Sequence, residues 1–374
     1  MLRRGLVLGV LLLSGGVSAQ KDRIRELGMQ AAQLRNLSYK PVKAQAVSQK
    51  ECVAYLMKLL DEEMQPAQTN RREGFLKLLG LMPEQGSLKK IYAELYGDQV
   101  RGLYDPKQKR YLVVTSAKGQ EDPMAAALGL NLDDILTVHE LGHAIQDQHF
   151  GLGALTKQVA ENFDQELAAS SLFEGDASVL MLAFALKATG LEGVDTSALG
   201  GLDSEQMMMG QSAAVARAPR FFRDVLGFPY GQGMKFVSSI KRGQNWAAVD
   251  RAFGQLPEST EQIIHPEKYL RDHPKPVRME AARPGTSLGQ DTAGEFTIRC
   301  WARENGFGDE AAAGWGGDRY EVFRTSSGLA GIWVTTWDSD KDAVEFEKLA
   351  RQATAKKPSN QVERSGRGVT VRFL

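Results

Sequence analysis

Net charge is the first thing this sequence lacks: 46 Lys and Arg balance 46 Asp and Glu over 374 residues. With no excess cations to displace counterions, binding of nucleic acid by bulk positive charge is excluded. Cysteine is almost absent. Two residues, Cys52 and Cys300, cannot build a disulfide-dense mini-domain or a Cys-rich zinc module. Histidine is scarce as well, with five residues, so their positions carry weight. Beyond the N-terminus no run approaches the length of a membrane-spanning helix. Internal repeats and low-complexity tracts are also missing. Apolar content is ordinary at 43%, which argues against disorder and supports a sizeable core in two or three domains.

Residues 1–19 read as an address. Arg3 and Arg4 precede the apolar stretch Gly5 to Leu13, and Val17-Ser18-Ala19 offers small residues where a signal peptidase cuts. No Cys follows the apolar run, so a lipoprotein anchor is not expected. Cleavage removes two Arg and no acid, tipping the balance slightly acidic. The sequence thus predicts an exported protein, periplasmic or extracellular, with no stable membrane span after cleavage. In that oxidising compartment Cys52 and Cys300 either form one disulfide or stay as two buried thiols.

Hydrophobic periodicity predicts a mainly helical α+β protein. A helical region spans residues 20–95, including Cys52 to Met64 and Gly74 to Leu81. Asp105-Pro106 separates two short runs that read as a hairpin, with Arg110 to Thr115 as its second strand. Long helices follow over about Leu132–His149, with Asn131 or Asp133 as N-cap, and Glu161–Lys187. Two more, about Ser204–Leu226 and Gly233–Phe253, flank Phe228-Pro229-Tyr230. Beyond about residue 285, Glu295–Arg303, Tyr320–Arg324, Gly331–Trp337 and Val369–Phe373 read as strands, and Asp340–Ala355 as an amphipathic helix. Residues 96–285 are therefore expected to form the central core, and 286–374 a C-terminal α+β domain whose core holds Trp301, Trp315, Trp333 and Trp337. Met207 to Met209 read as core filling. Gly314 to Gly317 lack the spacing of a phosphate loop.

Chemistry concentrates in Val138-His-Glu-Leu-Gly-His-Ala-Ile-Gln-Asp147. On a helix, residues four apart are offset by about 40° and one turn, so His139 and His143 can meet one metal ion. Neutral imidazole nitrogens suit Zn²⁺. Glu140 then reaches a zinc-bound water and takes its proton as the water attacks a carbonyl. A catalytic zinc needs a third protein ligand. His149 turns away from the pair on a continuous helix. Glu174, in the apolar helix Leu172-Phe-Glu-Gly-Asp-Ala177, is the better candidate, because a carboxylate there needs a partner. His265 or Tyr269, in Thr260-Glu-Gln-Ile-Ile-His-Pro-Glu-Lys-Tyr269, could donate to the developing oxyanion, although His265 before Pro266 equally reads as structural. His273 reads as a solvated loop residue.

His-Glu-Leu-Gly-His with Asp147 and a downstream Glu174 resembles the gluzincin metallopeptidases, the thermolysin-like clan. HELGHAIQDQHF, FEGDA, GLYDP and STEQIIHPEKY are similar to a group of exported bacterial proteins assigned to that clan. The resemblance implies a zincin-like core of a small sheet, a metal-binding helix and a Glu-ligand helix. It implies His139, His143 and Glu174 as zinc ligands, Glu140 as general base, and a peptide or protein as substrate. Ser178 stands where many relatives of thermolysin have an Asp, which leaves Asp147 and Asp176 as candidates to orient a ligand imidazole. The strand Arg110–Thr115 is the candidate to receive a substrate backbone by strand addition, with an ordinary sheet strand as the alternative. Two other functions compete: a non-catalytic, zinc-stabilised envelope scaffold or binding protein, and a zinc hydrolase of non-peptide amides or esters. An intact Glu140 argues against the first, because a structural zinc needs no base.

Overall fold

The computed structural model describes residues 17–99, 102–114, 131–191, 213–241, 246–279 and 284–374. They form a mixed α+β protein that is mainly helical. The chain opens with α1 (Val17–Arg35), β1 (Lys43–Val47), α2 (Gln49–Glu63), α3 (Pro66–Leu78) and α4 (Leu88–Gln99). The expected signal peptide lies outside the described residues except for Val17–Ala19, which begin α1. A reciprocal capping box between Ser48 and Glu51 starts α2, and Pro66 occupies the first turn of α3, where its missing N–H costs nothing.

The hairpin forms as expected, from β2 (Gly102–Asp105) and β3 (Arg110–Val114), while Thr115 lies outside the described residues. Its environment differs from the expectation. The sheet order is β1-β3-β2, with β1 parallel to β3, so both sides of β3 are paired. A strand paired on both sides cannot accept a substrate backbone, and β3 is the ordinary sheet strand.

Next comes α5 (Leu132–Phe150), capped by Asn131, whose side chain accepts from the amides of Asp133 and Asp134. It stops at Gly151, which takes a left-handed conformation (φ 70°). The short α6 (Leu152–Val159) leads to α7 (Phe163–Ala188), capped by Asn162. Among the described residues α7 alone is long and apolar enough to cross a membrane, but 78% of its apolar window is buried in the core. The rest of this part is α8 (Ala213–Arg217), α9 (Arg220–Lys241), α10 (Ala247–Gly254) and α11 (Thr260–Ile264). No break occurs at Phe228-Pro229-Tyr230: α9 runs straight through Pro229. An interior Pro costs about 3 kcal/mol. Burial of Phe222, Val225, Phe228, Tyr230, Phe236 and Val237 offsets that cost. Met207–Met209 lie outside the described residues.

The helices α5, α7 and α9 pack side by side with α7 in the middle. Glycine sets the α7–α9 spacing. A Cβ on Gly175 would sit 2.2 Å from the Gly233 carbonyl oxygen, and one on Gly233 would sit 2.2 Å from that of Ser171. Only residues without a Cβ permit such backbone contact.

The C-terminal part holds β4 (Thr286–Asp291), α12 (Gly294–Glu304), β5 (Trp315–Thr325), β6 (Gly328–Trp337), α13 (Asp340–Thr354), β7 (Gln361–Ser365) and β8 (Gly368–Phe373). Its five strands form an antiparallel sheet in the order β4-β5-β6-β8-β7. The expected strand Glu295–Arg303 is instead the amphipathic helix α12; Phe296, Ile298 and Cys300, which alternate along the sequence as in a strand, are all buried in it. Trp301, Trp315, Trp333 and Trp337 are all in the core, as expected. Helix α3 packs on the same sheet face: Phe75 stacks on Tyr320 at 3.7 Å and meets Trp333 edge-on. Asp291 joins the parts. Its Oδ2 accepts from Nε of Arg71 (3.2 Å) and Arg72 (2.9 Å), and its Oδ1 accepts from the Phe163 amide at the start of α7 (2.8 Å). Cys52 and Cys300 are separate, buried free thiols.

Candidate metal centre

Helix α5 places His139, Glu140 and His143 on its buried side, where all three are at most 1% exposed. Across from them, Glu174 projects from α7 and is 2% exposed. The two Nε2 atoms lie 3.2 Å apart, and Oε2 of Glu174 is 3.2 Å from His139 Nε2 and 3.3 Å from His143 Nε2. The three ligand atoms thus make a nearly equilateral triangle. Ligands bound at about 2.0–2.1 Å in tetrahedral geometry are about 3.3 Å from one another. Two imidazoles and one carboxylate, buried together at that spacing, fit Zn²⁺ in donor type and in size.

Burial and the mutual contacts of these four groups set their electrostatics. Burial lowers the His139 pKa, and its hydrogen bond to Glu174 only partly offsets this. At His143 burial acts in the same direction, but Glu174 outweighs it and raises the pKa to about 9. Burial alone would raise Glu174, yet the two imidazoles bring it below its ordinary value. Glu140 is pushed up to about 8 by burial, against the opposing effects of His143 and the Tyr104 amide.

Around these groups lie supports that the sequence did not reveal. The Tyr104 amide, on β2, donates to Glu140 Oε2 at 3.0 Å, while Glu140 Oε1 is buried without a hydrogen-bond partner among the described residues. Asp147 touches neither imidazole. It accepts from Tyr104 Oη at 2.9 Å and pairs with Lys109, so it fixes the tyrosine whose backbone holds Glu140. Gln146 makes the contact with a ligand: its Oε1 is 2.9 Å from His143 Nδ1, and its Nε2 donates to Asp176 at 2.9 Å. Asp176 therefore reaches the centre only through Gln146. The amide of Gln146, three residues after His143 on the same helix face, takes the place for which the sequence offers the carboxylates of Asp147 and Asp176.

Tyr230, from α9, was also missed. Its ring centroid is 6.1 Å from that of His139, and its hydroxyl hydrogen-bonds Glu174. Burial holds its phenol pKa well above the ordinary value, so it remains a donor. The two residues expected to fill such a role have other partners. His265 Nε2 is 3.1 Å from Glu295 Oε1 and close to Arg299, while Tyr269 Oη donates to the Gln255 carbonyl at 2.5 Å. His265 accordingly matches its structural reading. His149 bonds the Ser38 carbonyl at 2.8 Å, and the exposed His273 is 3.0 Å from Glu258. A second convergence of acids, Glu261, Asp272 and Asp338, is filled by the Lys268 ammonium, 2.6, 3.2 and 2.9 Å from them.

A family model described as a domain of unknown function, DUF8575, matches residues 281–373, a range that holds the strands β4–β8 and not the metal centre. No curated protein and no solved structure matches the chain.

Proposed function

We propose that this chain is an exported zinc-dependent metallopeptidase of the gluzincin type. The observation that carries the proposal is the triangle of His139, His143 and Glu174 ligand atoms, 3.2–3.3 Å on a side, beside a Glu140 whose Oε1 has no hydrogen-bond partner among the described residues. When bound there, zinc supplies Lewis acidity, which acidifies water and polarises a carbonyl. Glu140 works through its two different oxygens. The Tyr104 amide holds Oε2, so Oε1 takes a proton from a water as it attacks the scissile carbonyl, and later returns it to the departing nitrogen. Tyr230, kept protonated by burial, donates its one O–H to Glu174 and would serve charge developing on the carbonyl oxygen by turning that hydroxyl away from the carboxylate.

The test is Glu140→Gln. The variant should keep one zinc per chain and lose hydrolysis of a peptide substrate that the wild type cleaves. Turnover retained by the zinc-loaded variant would sink the mechanism. A second reading, a zinc that only staples α5 to α7, is favoured by the near-complete burial of all four groups. Under it, a library of peptides, amides and esters would yield no Glu140-dependent turnover. A library hit confined to esters or non-peptide amides would keep the mechanism and change the substrate class.

A further inference from the structure

A chain of polar contacts leads from His143 to the N-terminal helix. The Gln146 amide has two fixed acceptors for its NH₂ group, the Phe173 carbonyl at 2.8 Å and Asp176 Oδ2 at 2.9 Å. Its orientation is therefore dictated: Oε1 must face His143, 2.9 Å from Nδ1. An oxygen at that point accepts a hydrogen bond, so Nδ1 carries the hydrogen and the Nε2 lone pair is directed at the ligand triangle. Asp176 in turn is held by Arg35, whose Nε lies 2.8 Å from its Oδ1. Both side chains are nearly inaccessible, at 1% and 2% exposure. Arg35 is itself fixed. Its Nη1 is 2.7 Å from Asp250, its guanidinium lies 4.4 Å above the Trp246 ring, and the Trp246 indole donates to the Leu34 carbonyl at 2.7 Å.

The rest of α1 and the segment after it are also bound along the metal helix. Arg23 pairs with Asp134 near the start of α5 at 2.5 Å, and Lys40 exchanges backbone hydrogen bonds with the Gln148 side chain near its end, at 2.8 and 2.7 Å. Just beyond, β1 pairs with β3.

We infer that Arg35 is a positioning residue of the metal centre, acting through Asp176 and Gln146 to hold His143 in the tautomer that presents Nε2 to the metal. The N-terminal helix α1 is then part of the working site. This inference rests on the zinc reading above. It adds to that reading a residue 108 positions from the ligand, on a helix with no metal-binding motif.

The experiment measures zinc affinity of the full mature chain by chelator competition, together with thermal stability. The variants are Gln146→Leu, Arg35→Met, the two combined, and Arg23→Met as a control that loosens α1 from α5 without touching the relay. Gln146→Leu and Arg35→Met should each weaken zinc binding about 10- to 100-fold, the usual effect of losing an outer-shell partner. The double variant should be no weaker than the worse single one, because both changes break the same chain. Arg23→Met should lower the melting temperature and leave zinc affinity unchanged. Arg35→Lys keeps the buried charge even if Arg35→Met does not fold, and it should fall between wild type and Gln146→Leu. In cobalt-substituted protein, the His143 ring N–H proton should exchange slowly in wild type and rapidly in Gln146→Leu and Arg35→Lys.

Additive losses in the double variant, or Arg35 variants that lose stability while zinc affinity and proton exchange stay at wild-type values, would overturn the relay alone. A wild-type chain that takes up no zinc would overturn the metal reading and the relay with it.

Discussion

Gly175→Ala tests how the scaffold makes the site. The added methyl would lie 2.2 Å from the Gly233 carbonyl oxygen, and 2.3 and 3.0 Å from the carbon atoms beside it. Non-bonded contacts become attractive only near about 3.5 Å, so α7 and α9 must part by roughly 1 Å. Backbone lies on the far side, so no side chain can rotate away. Overpacking of this kind costs about 1–3 kcal/mol. Glu174 is the residue before Gly175, and Tyr230 lies about one turn before Gly233, so the same separation strains their hydrogen bond and moves one corner of the ligand triangle. Calorimetry of the metal-free protein should show a lower melting temperature, and chelator competition should show zinc affinity reduced by about tenfold or more. Gly153→Ala is the control. Nothing lies within 4 Å of its would-be Cβ, and it sits on the exposed face of α6, so it should be neutral or slightly stabilising. A Gly175→Ala protein with wild-type melting and wild-type zinc affinity would refute the claim that this contact sets the geometry.

Two further outcomes follow from the electrostatics. Glu174 outweighs the effect of burial and holds His143 near 9 in the metal-free protein, so at neutral pH His143 carries a proton that zinc must displace. Below that value apparent zinc affinity should rise about tenfold per pH unit, flattening above it; an affinity independent of pH between about 6 and 8 would contradict the assignment. Asp291→Ala leaves Arg71 and Arg72 without their shared carboxylate and removes an acceptor from the first amide of α7. Breaking a buried pair in this way costs about 3–5 kcal/mol, so urea unfolding should shift to a markedly lower midpoint, and an unshifted midpoint would show the junction to be unimportant.

What the sequence revealed and what it hid divide along physical lines. His139 and His143 were legible because helix periodicity alone brings residues four apart together, and their side chains do converge. Glu174 was legible because an apolar helix does not hold a carboxylate without a partner, and its partners are the two imidazoles. The N-cap at Asn131 and the hairpin around Asp105-Pro106 are local features and were equally readable. Tyr230, Tyr104 and Arg35 were not, because each arrives from another element through contacts that no local pattern encodes. Pro229 and the segment 294–304 misled for a related reason: tertiary burial overrode the local preference for a break in one and for a strand in the other.

In the proposed zinc site Glu174 is the third ligand beside His139 and His143. The most direct measurement is metal content by elemental analysis after dialysis against a weak chelator, for wild type and Glu174→Ala. One zinc per chain is expected in the wild type and almost none in the variant, whose fold is verified by circular dichroism. Zinc retained by Glu174→Ala with full stoichiometry and undiminished affinity would contradict that role for Glu174.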